Sequence, residues 1–504
     1  MPIRADLRRR LVTARPLTLA DLFPEAAGLD AARLIHGLAS DSRKVAPGSV
    51  FVAVPGTKAD GMSFASQAAA AGAVAVVGED ERPAALDPAV AYVSTPDVRR
   101  SLALAAARLY PRQPETVVAV TGTSGKSSVA DFVRQLFAAL GRRSASLGTL
   151  GVITSDGAAY GSLTTPDPIA LHQTLDRLAS DGVTHLAMEA SSHGIEQRRL
   201  DGVRLSAAGF TNLGRDHLDY HGTTEAYRDA KLRLFETLLP DGATAVINVD
   251  GPYAEPFVAT AGGRGLPILT TGHAGHTIKL IAASTDGFAQ RLGLAVNRPG
   301  ATPLEVAVDL PLVGAFQVEN ALLAAALVLA VEPDADSRAV LDSLSALHGV
   351  SGRLERVGEV RGGLAVVDYA HKPEALEQVL TALRPFAKGR LVCVFGCGGD
   401  RDRGKRPIMG RIAAEGADVV IVTDDNPRTE VPAAIRAEIL AAAPGAREIG
   451  DRGEAIRAAV RMLRPGDVLV VAGKGHETGQ IVGDRTLPFS DQEAVRAAVA
   501  EVSG

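Results

Sequence analysis

The residues Gly122, Thr123, Ser124, Gly125, Lys126, Ser127 and Ser128 stand between an apolar run at 117–120 and an amphipathic stretch that starts near Ser127. That order reads as a buried parallel strand, a turn of small residues and a helix. The turn is phosphate-sized: N–H groups from Gly122 to Lys126 would point at one anion, with the positive end of the helix and the Lys126 ammonium behind them. The Ser127 hydroxyl would then face a magnesium ion. The usual phosphate loop has a glycine where this chain has Val120, so an ordinary strand-turn-helix junction is the competing reading.

Other residues of chemical interest follow strand-like runs. Glu189 ends "HLAMEAS" and is placed to hold magnesium near a phosphate loop, or to cap a helix. "TNLGRDHLDYHG" at 211–222 packs Asp216, His217, Asp219 and His221 together. Magnesium prefers oxygen donors, so these histidines read as hydrogen-bonded structure or as metal ligands, and the spacing leaves both open. Lys231 in "YRDAKLRLF" reads, taken alone, as an exposed helix lysine. "DYAHKP", "DNPR" and "GKGHE" each join a strand end to charge, and each also fits a turn. Cys393 and Cys397 read as small core residues.

Positioning these groups takes several elements. With 504 residues the chain suggests about three domains. A net charge of −5 offers no basic field for nucleic acid, and two cysteines exclude a disulfide framework and four-cysteine zinc sites. The first 24 residues lack an apolar export core, and the greasiest run, 321–331, is half a membrane span and reads as a buried helix. These features fit a cytoplasmic protein that acts on small molecules.

Strand-like runs at 49–54 and 73–78 flank a helical stretch, giving a small α/β unit at 1–112. Prolines at 111 and 114 mark a linker, and strands alternating with helices from 113 to 348 predict a parallel sheet with helices on both faces. Period-two patterning at 278–313 predicts an antiparallel addition to that sheet. A second parallel α/β unit is expected over 349–504. Its charged loops follow the carboxyl ends of strands, where open parallel sheets bind ligands, so the pattern predicts a cleft shared between domains.

The ordered set "GTSGKSS", "TTPDP", "MEASSHG", "NLGRDHLDYHG", "AKLRLF", "GRLE", "DYAHKP", "GCGGDRDRGKRP", "DNPR" and "GKGHE" resembles the Mur ligases over about 38–491, and among them the members that add meso-2,6-diaminopimelate. The resemblance implies a UDP-binding N-terminal domain, a central P-loop ATPase domain and a Rossmann-like C-terminal domain. It implies amide formation on UDP-MurNAc-L-Ala-D-Glu, driven by ATP through an acyl phosphate, with Mg2+, no nucleic acid, no membrane insertion, and a monomer.

For ATP, the resemblance implies residues 122–128, with Lys126 on the γ-phosphate, and Asn320, Arg353, Asp368 and His371. For magnesium it implies Ser127, where relatives carry Thr, together with Glu189, His217 and a carbamate on Lys231. For the sugar peptide it implies Ser40, Ser42, Thr57, Lys58 and Ala59, then Thr164, Thr165, Ser191, Gln197 and Arg199, with Arg198 a competing candidate. For the amino acid it implies Arg401, Asp425, Asn426, Pro427, Arg428, Gly473 and Glu477. A guanidinium grips the second carboxylate that distinguishes diaminopimelate from lysine. The alternatives are a lysine-adding relative, which lacks the intact DNPR pattern, a folylpolyglutamate synthetase, and a nucleotide-controlled switch.

Overall fold

A computed structural model describes residues 16–56, 59–159, 161 and 163–503. Much of the N-terminal stretch read for export, and the candidates Thr57 and Lys58, lie outside the described residues. Three successive sheets account for most strands. The first is parallel, in the order β1 (Gly37–Ala39), β2 (Ser49–Val52), β3 (Ala75–Gly78), β4 (Ala91–Ser94). Every residue of β2 and β3 is buried, which is why they read as continuous apolar runs rather than alternating ones.

The second sheet has eleven strands. Its parallel centre runs β12 (Ile268–Gly272), β11 (Thr244–Asn248), β10 (Ala207–Phe210), β5 (Thr116–Thr121), β9 (His185–Glu189), β6 (Ser144–Gly148). The phosphate-loop strand β5 lies between β9 and β10, so Glu189 and the 211–222 segment leave the same edge as residues 122–128. Helix Ala315–Val331 packs on this sheet beside helix Lys126–Ala139, with Leu322 and Leu329 in the same apolar cluster as Val129, Val133 and Phe137. It is buried almost all round, as its uniform hydrophobicity requires. Among the described residues, no helix is long and apolar enough to cross a membrane.

The antiparallel addition is present as β13 (Ile278–Asp286), β14 (Ala289–Val296) and β15 (Leu304–Leu310), and β14 alternates between more and less buried positions as a half-covered strand should. A second antiparallel ribbon, β7 (Gly151–Thr154) and β8 (Gly157–Ala159), extends the opposite edge. Its strands are too short and glycine-rich to signal in sequence.

The third sheet is ordered β16 (Glu355–Val360), β17 (Gly363–Asp368), β21 (Val468–Ala472), β18 (Leu391–Phe395), β19 (Val419–Val422), β20 (Arg447–Glu448). It is parallel except for β16, into which the change of texture after residue 349 resolves. Cys393 and Cys397 are buried in its core, as expected. Val313 of the central chain joins that same core, and Arg356 donates to the Phe288 and Pro311 carbonyls at 3.1 and 3.2 Å, so the last unit rests on the end of the antiparallel ribbon.

Candidate active site

Helix Lys126–Ala139 begins at Gly125, whose φ of +87° is a left-handed conformation that suits glycine. A Cβ there would collide with the Asn320 amide oxygen, so Asn320 lies directly against the loop. No side chain caps this helix and its first turn holds no acid. The N–H groups of its first turn therefore have no intrahelical acceptor and can serve an anion. The expectation that all N–H groups from Gly122 to Lys126 face one anion needs correction. Thr123 N–H donates to the Asn212 carbonyl at 2.9 Å and Ser124 N–H to Asn212 Oδ1 at 3.1 Å, because the 211–222 segment runs alongside and supplies stronger local acceptors.

Lys126 turns its Nζ onto the carbonyls of Gly122 and Thr123, at 3.0 and 2.8 Å. Lys231 Nζ donates to the same Gly122 oxygen at 2.7 Å. Lys231 is 1% exposed, which overturns its reading as a surface lysine. It lies over the Tyr227 ring at 4.3 Å, and burial, aided by Lys126, holds its pKa well below the ordinary lysine value. A carbonyl, a ring and the Asp216 carboxylate compensate a buried ammonium incompletely, so burial disfavours the charged form.

Glu189 is buried and accepts from Ser127 Oγ at 2.9 Å, from Thr149 N–H at 2.8 Å and from Thr149 Oγ1 at 3.2 Å. A Cβ at Gly148 would strike this carboxylate. The helix-cap alternative fails, because Ser191 caps the next helix by accepting from Gly194 N–H at 3.1 Å. His217 has φ +54° and pairs with Asp216 at 3.5 Å, and desolvation lowers its pKa despite that partner. His193 packs edge-on against it with ring centroids 4.9 Å apart, and burial pushes the His193 pKa down to about 4.

The sugar-peptide candidates fall into two groups. Thr165 Oγ1 donates to the Glu189 carbonyl at 2.9 Å and accepts from Ser191 N–H at 3.1 Å, so both residues brace the strand end. Thr164 and Thr149 hydroxyls meet at 3.0 Å. Arg199 donates to the Thr165 carbonyl at 2.7 Å and to Gln197 Oε1 at 2.7 Å. Arg198 instead pairs with Asp97 of the first unit at 3.0 Å. Ser40 and Ala59 are exposed, and Ser42 Oγ meets Gln67 Oε1 at 3.2 Å. The adjoining Arg43 turns back on Asp41 and holds that carboxyl at about 2.

In the last unit, Asp368 accepts from the N–H groups of Leu354 and Ala370, both at 2.8 Å, and burial raises its pKa. Arg353 stacks over Tyr369 at 5.0 Å and stands close enough to Lys126 to disfavour its charge, and the Gln317 amide reaches the Arg353 carbonyl at 3.3 Å. His371 Nδ1 lies 2.8 Å from the Tyr369 carbonyl. The neighbouring Lys372 reaches Asp216 at 3.6 Å, joining this unit to the His217 loop.

The structure also gathers Asp425, Asn426, Gly473 and Glu477: Asn426 Nδ2 donates to Glu477 Oε2 at 3.0 Å, and a Cβ at Gly473, where φ is +120°, would lie 2.7 Å from Asp425 Oδ2. Pro427 is buried, and Arg428 (φ +51°) donates from Nη1 to the Gly399 carbonyl at 2.7 Å. Arg401 is exposed on the loop that Asp400 ties to Thr429.

Sequence reasoning missed Thr149, Asn212, Lys372 and Lys474. Asn212 stood inside a quoted motif and Lys474 inside "GKGHE", so both could have been found, whereas a lone Thr149 carries no pattern. Among the described residues, no three of His, Cys, Asp and Glu converge to hold a metal. Magnesium keeps waters and takes phosphate oxygens, so it needs only one or two protein oxygens, and the Ser127 hydroxyl beside the Glu189 carboxylate fits it.

Three family descriptions match the chain in series: Mur ligase family, catalytic domain, over 34–110; Mur ligase middle domain, over 120–328; and Mur ligase, glutamate ligase domain, over 352–475. The chain belongs to the Mur ligase family and is an enzyme of the ligase class. It is 56% identical to a UDP-N-acetylmuramoyl-L-alanyl-D-glutamate--2,6-diaminopimelate ligase of Bradyrhizobium diazoefficiens, covering 96% of this chain and 99% of that protein. A protein of the same name from Agrobacterium fabrum is also 56% identical, over 93% of this chain and 94% of its own. A solved structure of a ligase of this name superposes with a TM-score of 0.73 at 35% identity, covering 97% of this chain and 100% of that one.

Proposed function

We propose that this chain uses ATP to join meso-2,6-diaminopimelate to the γ-carboxylate of the D-glutamate in UDP-MurNAc-L-Ala-D-Glu, acting as a monomer in the cytoplasm in peptidoglycan precursor synthesis. One observation supports the reading: the start of helix Lys126–Ala139 is uncapped, its first turn holds no acid, and Lys126 and Lys231 are turned onto the Gly122 carbonyl beside it, an arrangement suited to an anion. Residues 1–112 take the UDP-sugar, 113–348 the ATP and 349–504 the incoming amino acid.

The reaction runs in two steps. A carboxylate oxygen bonds the γ-phosphorus while the β–γ bridge breaks and ADP leaves. The amine then attacks the acyl carbon, loses a proton, and expels phosphate that carries one former carboxylate oxygen. A carboxylate is a poor electrophile, and phosphorylation supplies its leaving group. Lys126 serves the γ-phosphate, while Asn320, Arg353, Asp368 and His371 hold the nucleotide. Ser127, Glu189 and His217 would hold magnesium, which neutralises phosphate charge when bound. Lys231, as a neutral amine, adds to carbon dioxide and sheds a proton, giving a carbamate anion that orients the metal site. The Arg199 fork binds a carboxylate of the sugar peptide, Arg428 the far carboxylate of diaminopimelate, and Glu477 its far ammonium. Closure of the last unit over the cleft excludes the water that would hydrolyse the acyl phosphate.

The test supplies purified protein with UDP-MurNAc-L-Ala-D-Glu, ATP and either diaminopimelate or lysine, and weighs the product. The diaminopimelate tripeptide with stoichiometric ADP is expected. ATP turnover that ignores the sugar peptide, or a lysine product at equal rate, contradicts the reading.

A further inference from the structure

The glycines of "GKGHE" fold one side chain inward. Gly473 and Gly475 have φ of +120° and +54°, and a Cβ on either would meet Asp425 or Tyr369 within 2.7 Å. Lys474 between them is 0% exposed. Its Nζ donates to Asn426 Oδ1 at 2.8 Å and to the Gly479 carbonyl at 2.8 Å, and faces Glu477 Oε2 at 3.5 Å and Asp425 Oδ1 at 3.8 Å. Its three donors are thus committed. A buried ammonium is costly, and this one touches three of the residues assigned to the amino acid yet can touch no ligand without displacing them.

Two consequences follow for those residues. Asn426 Oδ1 accepts from Lys474 and also from Ile481 N–H at 2.9 Å, so both its lone pairs are used and the amide cannot flip. Its NH2 must then lie away from Lys474, with one hydrogen on Glu477 and one left for a carboxylate oxygen. The charges also add up: Asp425 and Glu477 contribute two negatives, and Lys474 cancels one. The adjacent Arg452 and Asp491, both fully buried at 2.7 Å, cancel each other, while Arg436 is shared between Asp424 and Glu448. Among Asp425, Glu477 and Lys474 a single negative charge remains for one ammonium, leaving Arg428 to serve a carboxylate.

We infer that Lys474 is a positioning residue for amino-acid choice: by fixing the Asn426 amide and halving the subsite's negative charge, it favours a far end that carries both ammonium and carboxylate over one that is a bare ammonium. The inference rests on the function proposed above and adds a residue to it. Without the Lys474 charge, the subsite would repel the far carboxylate of diaminopimelate and attract lysine.

The test compares wild type, Lys474→Gln and Asn426→Asp, each making the cluster more negative by one. Steady-state kinetics are measured with diaminopimelate and, separately, with lysine. Both variants should raise KM for diaminopimelate at least tenfold with KM for ATP within twofold, and should narrow the diaminopimelate-to-lysine ratio of kcat/KM at least tenfold. A ratio within twofold of wild type, or an equal loss with both amino acids, overturns the inference and leaves the proposed function standing. If Lys474→Gln does not fold, Asn426→Asp decides, because it keeps the lysine and its acceptors. A wild type that adds no diaminopimelate defeats the proposed function, and this inference with it.

Discussion

Lys231 and Lys474 are both buried, on opposite terms. The surroundings of Lys231 hold a carbonyl, a tyrosine ring, a second lysine and the Asp216 carboxylate, and burial outweighs that one carboxylate. The surroundings of Lys474 hold an amide oxygen, a carbonyl and two carboxylates, so the ammonium is compensated. A buried lysine so weakly compensated is disposed to give up its proton, and a neutral amine can add to carbon dioxide, a neutral electrophile, to become an anion. A lysine held by so many acceptors orients those groups toward a ligand. On the function proposed above, the central unit does the phosphoryl chemistry, and the last unit chooses the nucleophile.

That contrast can be broken most sharply at the phosphate loop. Lys126→Ala should lower turnover by about 10³-fold, since in the proposed function it removes the cation that serves the γ-phosphate. Stopped ADP release at saturating substrates reads this, and an effect confined to KM for the amino acid would erase the division between the regions. Lys231→Ala should cost roughly 10²-fold and be partly restored by added formate or acetate, which replace the missing anion. Unaltered activity would remove the carbamate from the account.

On the other side, Arg428→Lys should lower kcat/KM for diaminopimelate by about tenfold or more, through loss of the proposed bidentate grip, without changing KM for ATP. Two smaller effects ask whether the folded frame behaves as described. His172 is fully buried, and its pKa is driven down to about 4 from 6.5, so the unfolded chain binds its proton first as pH falls. Stability should therefore decline between pH 6.5 and 4, and a His172→Asn melt should be flatter across that window. Asp97→Asn, which breaks the partly exposed pair with Arg198 between the first two units, should cost at most about 1 kcal/mol in a denaturant titration.

The two regions also differed in how well they could be read. Residues 117–139 announced strand, loop and helix through apolar runs and glycines, and β14 announced itself by alternation. The ordered motifs were enough to identify the family. What local pattern could not carry was long-range pairing: the burial of Lys231 depends on Gly122, 109 positions away, and the anchoring of Lys474 on Asn426, 48 positions away. The ribbon at β7 and β8 was missed because strands of four and three residues carry too few positions for a period. Thr123 and Ser124 misled for a related reason, since only the folded chain brings Asn212 to their N–H groups.

The most direct measurement follows oxygen. With 18O in both γ-carboxylate oxygens of the D-glutamate, the account predicts one labelled oxygen in each inorganic phosphate released and one retained in the new amide. Phosphate emerging without label, while amide forms at the normal rate, would contradict it.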